Sequence, residues 1–129
     1  MDDNKLPAVL VVEDEVLIRM DAVDMIEEAG FVTYEAGSAD AAIALMKRHD
    51  DIGILFTDID MPGSMDGLKL AAYVRDRWPP VAILVASGIT DVEETALPKG
   101  SEFFPKPYAT NQITKSLREI AREMASRRQ

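Results

Sequence analysis

The sequence contains no cysteine and only one histidine, His49. A chain without cysteine can form neither a disulfide framework nor a thiolate metal site. Zinc is also disfavoured, because its protein sites are built chiefly from cysteine and histidine, and we interpret His49 as a solvated residue at the C-terminal end of a helix. A metal site in this chain would therefore have to use oxygen ligands.

Long apolar runs and an excess of positive charge are missing as well. The first apolar run, residues 8–12, is five residues long, whereas a membrane-spanning helix needs about 18 or more. Residues 1–5 are acidic and do not resemble a secretory signal, so we expect a cytoplasmic protein with no membrane partner. The net charge of −9 at pH 7 argues against a broad basic face that binds nucleic acid.

Short apolar runs alternate with segments of helical spacing, as in a chain of β-α units. The 129 residues fit one domain, which we predict over residues 1–129 with its core in about 7–125. Ser38 is a good helix N-cap and Gly30 a good helix terminator. The predicted strands cover residues 8–12, 31–35, 52–57, 81–86 and 102–104. The predicted helices cover residues 15–29, 38–49, 67–78, a short segment 90–98, and a last helix from 110.

This alternation predicts an α/β fold with a parallel sheet and helices on both of its faces. Right-handed crossovers leave few topologies, of which we favour a five-stranded, doubly wound sheet with strand order 2-1-3-4-5. The fourth helix is expected to be short or irregular. Such sheets bind ligands at the carboxyl ends of their strands, where the winding direction switches. In this order the switch lies between strands one and three.

Polar residues follow four of the predicted strands at this edge. They are Glu13 and Asp14 after strand one, Asp58 after strand three, Ser87 after strand four and Lys106 after strand five. Any one of them alone could be a solvated loop residue. Three clustered carboxylates, however, repel one another unless a cation lies among them. Their hard oxygen ligands suit Mg²⁺, with Mn²⁺ as a substitute.

The same residues suggest phosphoryl transfer. A carboxylate can act as a nucleophile and form an acyl phosphate, and Asp58 lies at the middle strand end. The reaction needs little beyond alignment and neutralisation of the phosphoryl oxygens. A metal could neutralise one oxygen, Lys106 could pair with a second, and the Ser87 hydroxyl could donate to a third.

In their order along the chain, these residues resemble the receiver domain of two-component response regulators, a flavodoxin-like fold. The resemblance runs from Leu10 to the last helix and rests on four motifs: VVEDE at 11–15, FTDIDMPG at 56–63, ASG at 86–88 and FFPKPY at 103–108. It implies that Asp58 is the phosphoacceptor and that Glu13 and Asp14 hold Mg²⁺ together with Asp58.

Further roles follow from the resemblance alone. Asp60 would give the metal its main-chain carbonyl, and Lys106 would pair with the phosphoryl oxygens. Ser87 would contact the phosphoryl group and reorient on activation, and Phe103 takes the place of an aromatic switch, although plain core packing explains it equally well. The Lys106–Pro107 bond would be cis, a geometry almost confined to X-Pro.

Two of the departures from the family pattern concern whole segments of the chain. The segment Met61–Gly67 carries one extra residue beside the phosphoacceptor. The fourth helix is short and closes at Pro98, on a face that the family uses for signalling. Because only a helix follows Lys106, we expect no output domain. The implied partners are a sensor histidine kinase or a histidine phosphotransfer protein of a bacterial phosphorelay, and a downstream protein.

Two other interpretations stay open on the sequence. A phosphatase of the haloacid dehalogenase type also has a D-x-D strand end, here residues 58–60, followed by a serine and a lysine. That family places its metal-binding acids after the lysine, where this chain offers only Glu119 and Glu123 on a helix. The third interpretation is a receiver-like interaction module that is no longer phosphorylated.

Overall fold

The computed structural model describes residues 6–59, 67–88 and 97–127. Its strands are β1 (Ala8–Val12), β2 (Thr33–Ala36), β3 (Ile52–Asp58), β4 (Ala82–Ser87) and β5 (Glu102–Pro105). The helices of the described ranges are α1 (Val16–Glu28), α2 (Ala39–Arg48), α3 (Gly67–Arg77) and α4 (Thr110–Arg127).

The five strands form one parallel sheet in the order β2-β1-β3-β4-β5. This confirms the predicted topology. In the register of the sheet, Val12 of β1 lies beside Thr57 of β3, and Asp58 lies beside Ala86 of β4. The carboxyl-terminal ends of β1, β3 and β4 therefore lie side by side in the sheet.

Both faces of the sheet are covered, which explains why β1 is apolar throughout. Successive strand residues point to opposite faces, and all five residues of β1 are buried. Leu10 and Val12 pack into a cluster with residues of α2 and α3, whereas Val9 and Val11 pack with residues of α1 and α4. Helices on both faces of a parallel sheet make the fold doubly wound.

The predicted start of strand two at Phe31 is wrong by two residues, because Phe31 takes part in the cap that follows α1. The Gly30 N–H donates to the Glu27 carbonyl (2.9 Å), and the Phe31 N–H donates to the Ile26 carbonyl (3.3 Å). This is the Schellman arrangement, and Gly30 has the positive φ of 100° that it requires. Phe31 is buried in the α1/α4 cluster, so its apolar character reflects helix capping and packing rather than a strand.

Other predictions of local structure differ in outcome. The Ser38 cap is confirmed, since its hydroxyl accepts from the Ala41 N–H (3.2 Å). His49 is not simply solvated, because it is half-buried and its ring stacks on Tyr34 with centroids 4.3 Å apart.

Some predictions fall outside the described residues. They concern Asp60, most of the Met61–Gly67 segment and residues 90–96 of the predicted fourth helix. Within residues 6–59, 67–88 and 97–127, none of the helices combines the length and the apolarity needed to cross a membrane.

Candidate functional site

Three carboxylates meet at the carboxyl ends of β1 and β3. Each of Glu13, Asp14 and Asp58 offers one oxygen, and these oxygens lie within 4.8 Å of one another. Glu13 and Asp58 are 4% and 7% exposed, whereas Asp14 faces solvent. The cluster is thus buried on two sides and open on the third, as a site that receives an ion or substrate from solution must be.

Lys106 enters this cluster from the loop after β5. Its Nζ lies 3.2 Å from Asp58 Oδ1 and 3.4 Å from Glu13 Oε1, so one ammonium group bridges the two buried acids. The Lys106 N–H donates to the Ser87 carbonyl (2.8 Å), which extends the β4–β5 pairing to the loop. The Lys106–Pro107 peptide is cis, as the resemblance predicts.

Glu13 is held at its main chain and at its side chain. Its N–H donates to the Ala36 carbonyl (3.0 Å), continuing the β1–β2 pairing. Its carbonyl accepts from Arg19 Nη1 (2.7 Å), and its Oε2 accepts from the Glu15 N–H (3.1 Å). These contacts fix both the backbone turn after β1 and the direction of the Glu13 carboxylate.

The electrostatic environment stabilises the proton on Glu13. Burial raises the pKa of Glu13 to about 7, and the neighbouring Asp58 adds to this, although the Glu15 N–H and Lys106 act in the opposite direction. Burial disfavours the charged form of Lys106, but the carboxylates of Asp58 and Glu13 outweigh it and raise the pKa of Lys106. Lys106 therefore stays protonated at neutral pH, whereas Glu13 is close to its titration midpoint.

This donor set fits a hard divalent cation. Carboxylate oxygens are the ligands that Mg²⁺ and Mn²⁺ prefer, and three are close enough to share one ion. The raised pKa of Glu13 indicates that its charge is incompletely compensated by Lys106 alone. A cation among the acids would supply the missing compensation.

Removing the charge of Glu13 is expected to stabilise the metal-free protein above neutral pH. The pKa of Glu13 rises from 4.5 to about 7 on folding, so its favourable contribution is complete below about pH 4.5 and is lost as pH rises through about 7. In EDTA at about pH 8, Glu13→Gln should have a higher urea midpoint than the unsubstituted protein. At about pH 5 the difference should be smaller.

Urea titrations followed by circular dichroism measure this effect, with Glu119→Gln on the exposed side of α4 as the control. The control removes one acidic charge from a site that is not buried, so its effect should change little between the two pH values. The urea midpoint of Glu13→Gln could instead fall, relative to that of the unsubstituted protein, as the pH rises. That result would contradict burial as the cause of the raised pKa of Glu13.

The first residue of α3 lies against the backbone of the Asp58 turn. A Cβ atom on Gly67 would overlap the Asp58 carbonyl oxygen and come within 2.6 Å of the Ile59 Cα. The Gly67 N–H donates to the Ile59 carbonyl (3.2 Å), and the Ile59 N–H donates to the Ala86 carbonyl (3.0 Å). Glycine thus permits a close approach that fixes the backbone just after Asp58.

Ser87 and Phe103 lie at the β4–β5 side of the site. Ser87 is the last residue of β4 and is 1% exposed. It lies one residue beyond Ala86, the β4 neighbour of Asp58. Phe103 is half-buried and packs against the α2/α3 cluster, an arrangement compatible with both core packing and an aromatic switch.

Three residues of this region escaped the sequence analysis. Arg19 and Gly67 support the backbone beside Glu13 and Asp58, and Tyr108 packs edge-on against Phe56 with centroids 5.8 Å apart. Burial raises the pKa of the Tyr108 hydroxyl. The sequence could have indicated the role of Gly67, because glycine is a poor helix former and its place at the start of a predicted helix is unusual. Nothing in the spacing of Arg19 indicated a contact with a main-chain carbonyl.

Comparison with known proteins places this arrangement in a family context. Residues 9–118 match the family described as the response regulator receiver domain. The chain is 31% identical over 116 residues to the sensor kinase CckA of Brucella abortus, covering 87% of this chain and 12% of that protein. It is 32% identical over 108 residues to the transcriptional regulatory protein PdtaR of Mycobacterium tuberculosis, covering 81% of this chain and 52% of that protein.

A solved structure supports the same fold. The receiver domain protein from Clostridium thermocellum superposes with a TM-score of 0.84 at 20% identity, covering 92% of this chain and 97% of that chain. The chain thus spans about half or less of the length of CckA and PdtaR, two of the curated relatives that it matches, but nearly all of the solved receiver domain.

Proposed function

The chain belongs to the response regulator receiver domains of two-component systems, a family of signalling domains, and on that premise we propose that Asp58 is its phosphoacceptor. The observation that carries the proposal is the position of Lys106, whose Nζ lies 3.2 Å from Asp58 Oδ1 and 3.4 Å from Glu13 Oε1. Lys106 places a fixed positive charge beside the Asp58 carboxylate, and the site reaches solvent on the side of Asp14. Such a site suits the transfer of an anionic group.

In the proposed reaction, an Asp58 carboxylate oxygen attacks phosphorus and an oxygen–phosphorus bond forms. The bond from phosphorus to the donor breaks, and its electron pair leaves with the donor. Lys106 pairs with a phosphoryl oxygen as charge develops on it, and the Ser87 hydroxyl donates to another. The product is an acyl phosphate on Asp58.

Glu13, Asp14 and Asp58 would hold Mg²⁺, or Mn²⁺ in its place, with the main-chain carbonyl of Asp60 as a further ligand. When bound, the ion supplies positive charge beside the phosphoryl oxygens. Lys106 cannot meet that need alone, because it already faces two carboxylates.

Phosphorylation is proposed to act through protein contacts rather than through steady turnover. Ser87 would reorient toward the phosphoryl group, and Phe103 would change its packing, so that the charge added at Asp58 shifts a conformational equilibrium. The phosphoryl donor would be a sensor histidine kinase or a histidine phosphotransfer protein, and the reader of the new conformation a downstream protein.

The test uses acetyl phosphate as a small-molecule donor. We expect intact mass to show one phosphoryl group on the protein when Mg²⁺ is present, and none when EDTA replaces it. Steady hydrolysis of phosphomonoesters without an adduct would instead indicate a phosphatase. A folded protein that gave neither adduct nor turnover would be a receiver-like interaction module, and the proposal would fail.

A further inference from the structure

We propose that Arg19 is a positioning residue that sets the affinity of the site for its divalent cation, an inference that rests on the function proposed above. In the described part of the chain, the hydrogen bonds of Arg19 go to the Glu13 carbonyl and to the Glu35 carboxylate. It acts on the backbone between β1 and α1, the segment that carries Glu13 and Asp14. Its role would be to hold these two carboxylates in the arrangement that an ion requires.

The contact that carries the proposal is a hydrogen bond to the main chain. Arg19 Nη1 donates to the Glu13 carbonyl at 2.7 Å, a short distance for a charge-assisted bond. Strand β2, the neighbour of β1, ends at Ala36, and the Ala36 carbonyl accepts from the Glu13 N–H. The guanidinium group thus binds the Glu13 backbone at the point where the β1–β2 pairing stops.

Two neighbouring residues border the guanidinium group on the β2 side. Arg19 Nε donates to Glu35 Oε1 on β2 at 3.3 Å. A Cβ atom on Gly37 would lie 3.1 Å from Arg19 Nη1, so the glycine after β2 leaves the room that the arginine occupies. The Arg19 side chain is only 18% exposed. This geometry distinguishes it from a freely solvated surface arginine.

A competing explanation is that Arg19 merely forms a surface ion pair with Glu35, whose side chain is 48% exposed. Ion pairs at the surface contribute little to stability, and such a pair would not affect a neighbouring ion site. The two explanations differ in which partner of Arg19 matters. Only the positioning role depends on the Glu13 carbonyl and is largely independent of the Glu35 carboxylate.

The experiment measures Mg²⁺ binding to the metal-free full chain by isothermal titration calorimetry. Removing groups that orient metal ligands typically weakens binding by about 10- to 100-fold, and we expect Arg19→Gln to weaken it by about tenfold. Glu35→Gln and the control Arg118→Gln, on the exposed side of α4, should stay within about twofold. Arg19→Lys should recover only part of the loss, because an ammonium group lacks the planar fork.

A second measurement separates positioning from chemistry. Because Arg19 does not touch the reacting atoms, the phosphorylation rate of Arg19→Gln at saturating Mg²⁺ should return to that of the unsubstituted chain. Arg19→Lys keeps the charge and the aliphatic stem, so it remains informative if Arg19→Gln is unfolded.

The inference is overturned if Arg19→Gln and Arg19→Lys both bind Mg²⁺ within about twofold of the parent, or if Glu35→Gln weakens binding as much as Arg19→Gln does. Failure of the proposed function looks different. In that case the unsubstituted chain itself would bind no Mg²⁺ and acquire no phosphoryl group, and the inference would fall with it.

Discussion

Asp58→Asn is expected to abolish the phosphoryl adduct formed with acetyl phosphate and Mg²⁺. The amide has nearly the shape of the carboxylate but is not a nucleophile at neutral pH, so no acyl phosphate can form. Asp58 also lies closer to Lys106 Nζ than Glu13 does, at 3.2 Å compared with 3.4 Å. Intact mass spectrometry should therefore detect only unmodified protein.

The matched control is Asp76→Asn, which changes an exposed aspartate on α3 and should leave one adduct per chain. Circular dichroism of both variants checks that they are folded. If Asp58→Asn were still modified, another residue would be the acceptor, and peptide mapping of the adduct would identify it. Equal loss of the adduct in both variants would show that the effect is not specific to the site.

Gly67→Ala is expected to produce the largest loss of stability among single-methyl additions at the site. The new Cβ would overlap the Asp58 carbonyl oxygen and lie 2.6 Å from the Ile59 Cα. Both neighbours are backbone and cannot rotate away, so α3 or the Asp58 turn must shift. Overpacking costs about 1–3 kcal/mol, and we expect the free energy of unfolding to fall by at least about 2 kcal/mol.

Gly88→Ala is the control for this substitution. Within the described part of the chain, a Cβ at Gly88 would meet no heavy atom within 4 Å, so the free energy of unfolding of Gly88→Ala should differ from that of the parent by no more than about 0.5 kcal/mol. Urea unfolding measures both variants. Similar values for the two would mean that the close approach at Gly67 does not constrain the fold.

The strand order was predictable because it follows from few physical rules. Each buried strand is short and apolar, each helix has an apolar stripe, and parallel strands joined by right-handed crossovers admit few arrangements. Phe31 was misassigned because an aromatic residue before β2 favours a strand, while the hydrogen bonds that close α1 depend on Gly30 and are invisible to hydrophobic periodicity.

The location of the candidate site was predictable, because the side chains that follow neighbouring parallel strands lie at the same edge of the sheet. The proximity of Glu13, Asp58 and Lys106 follows from that rule, and their distances agree with it. The supporting contacts of Arg19 and Gly67 did not follow, because both involve main-chain groups that every residue carries. A sequence pattern reveals where unusual side chains gather, but not which carbonyl a long side chain reaches.

The bridge from Lys106 to Glu13 spans 93 residues of sequence. Closing a loop of this length has an entropic cost, and the contacts of the intervening strands offset that cost only once the strands have paired. We therefore expect the site to form only after the intervening strands have paired. A chain that ended before β5 would keep its three carboxylates and lose the ammonium group that offsets their repulsion.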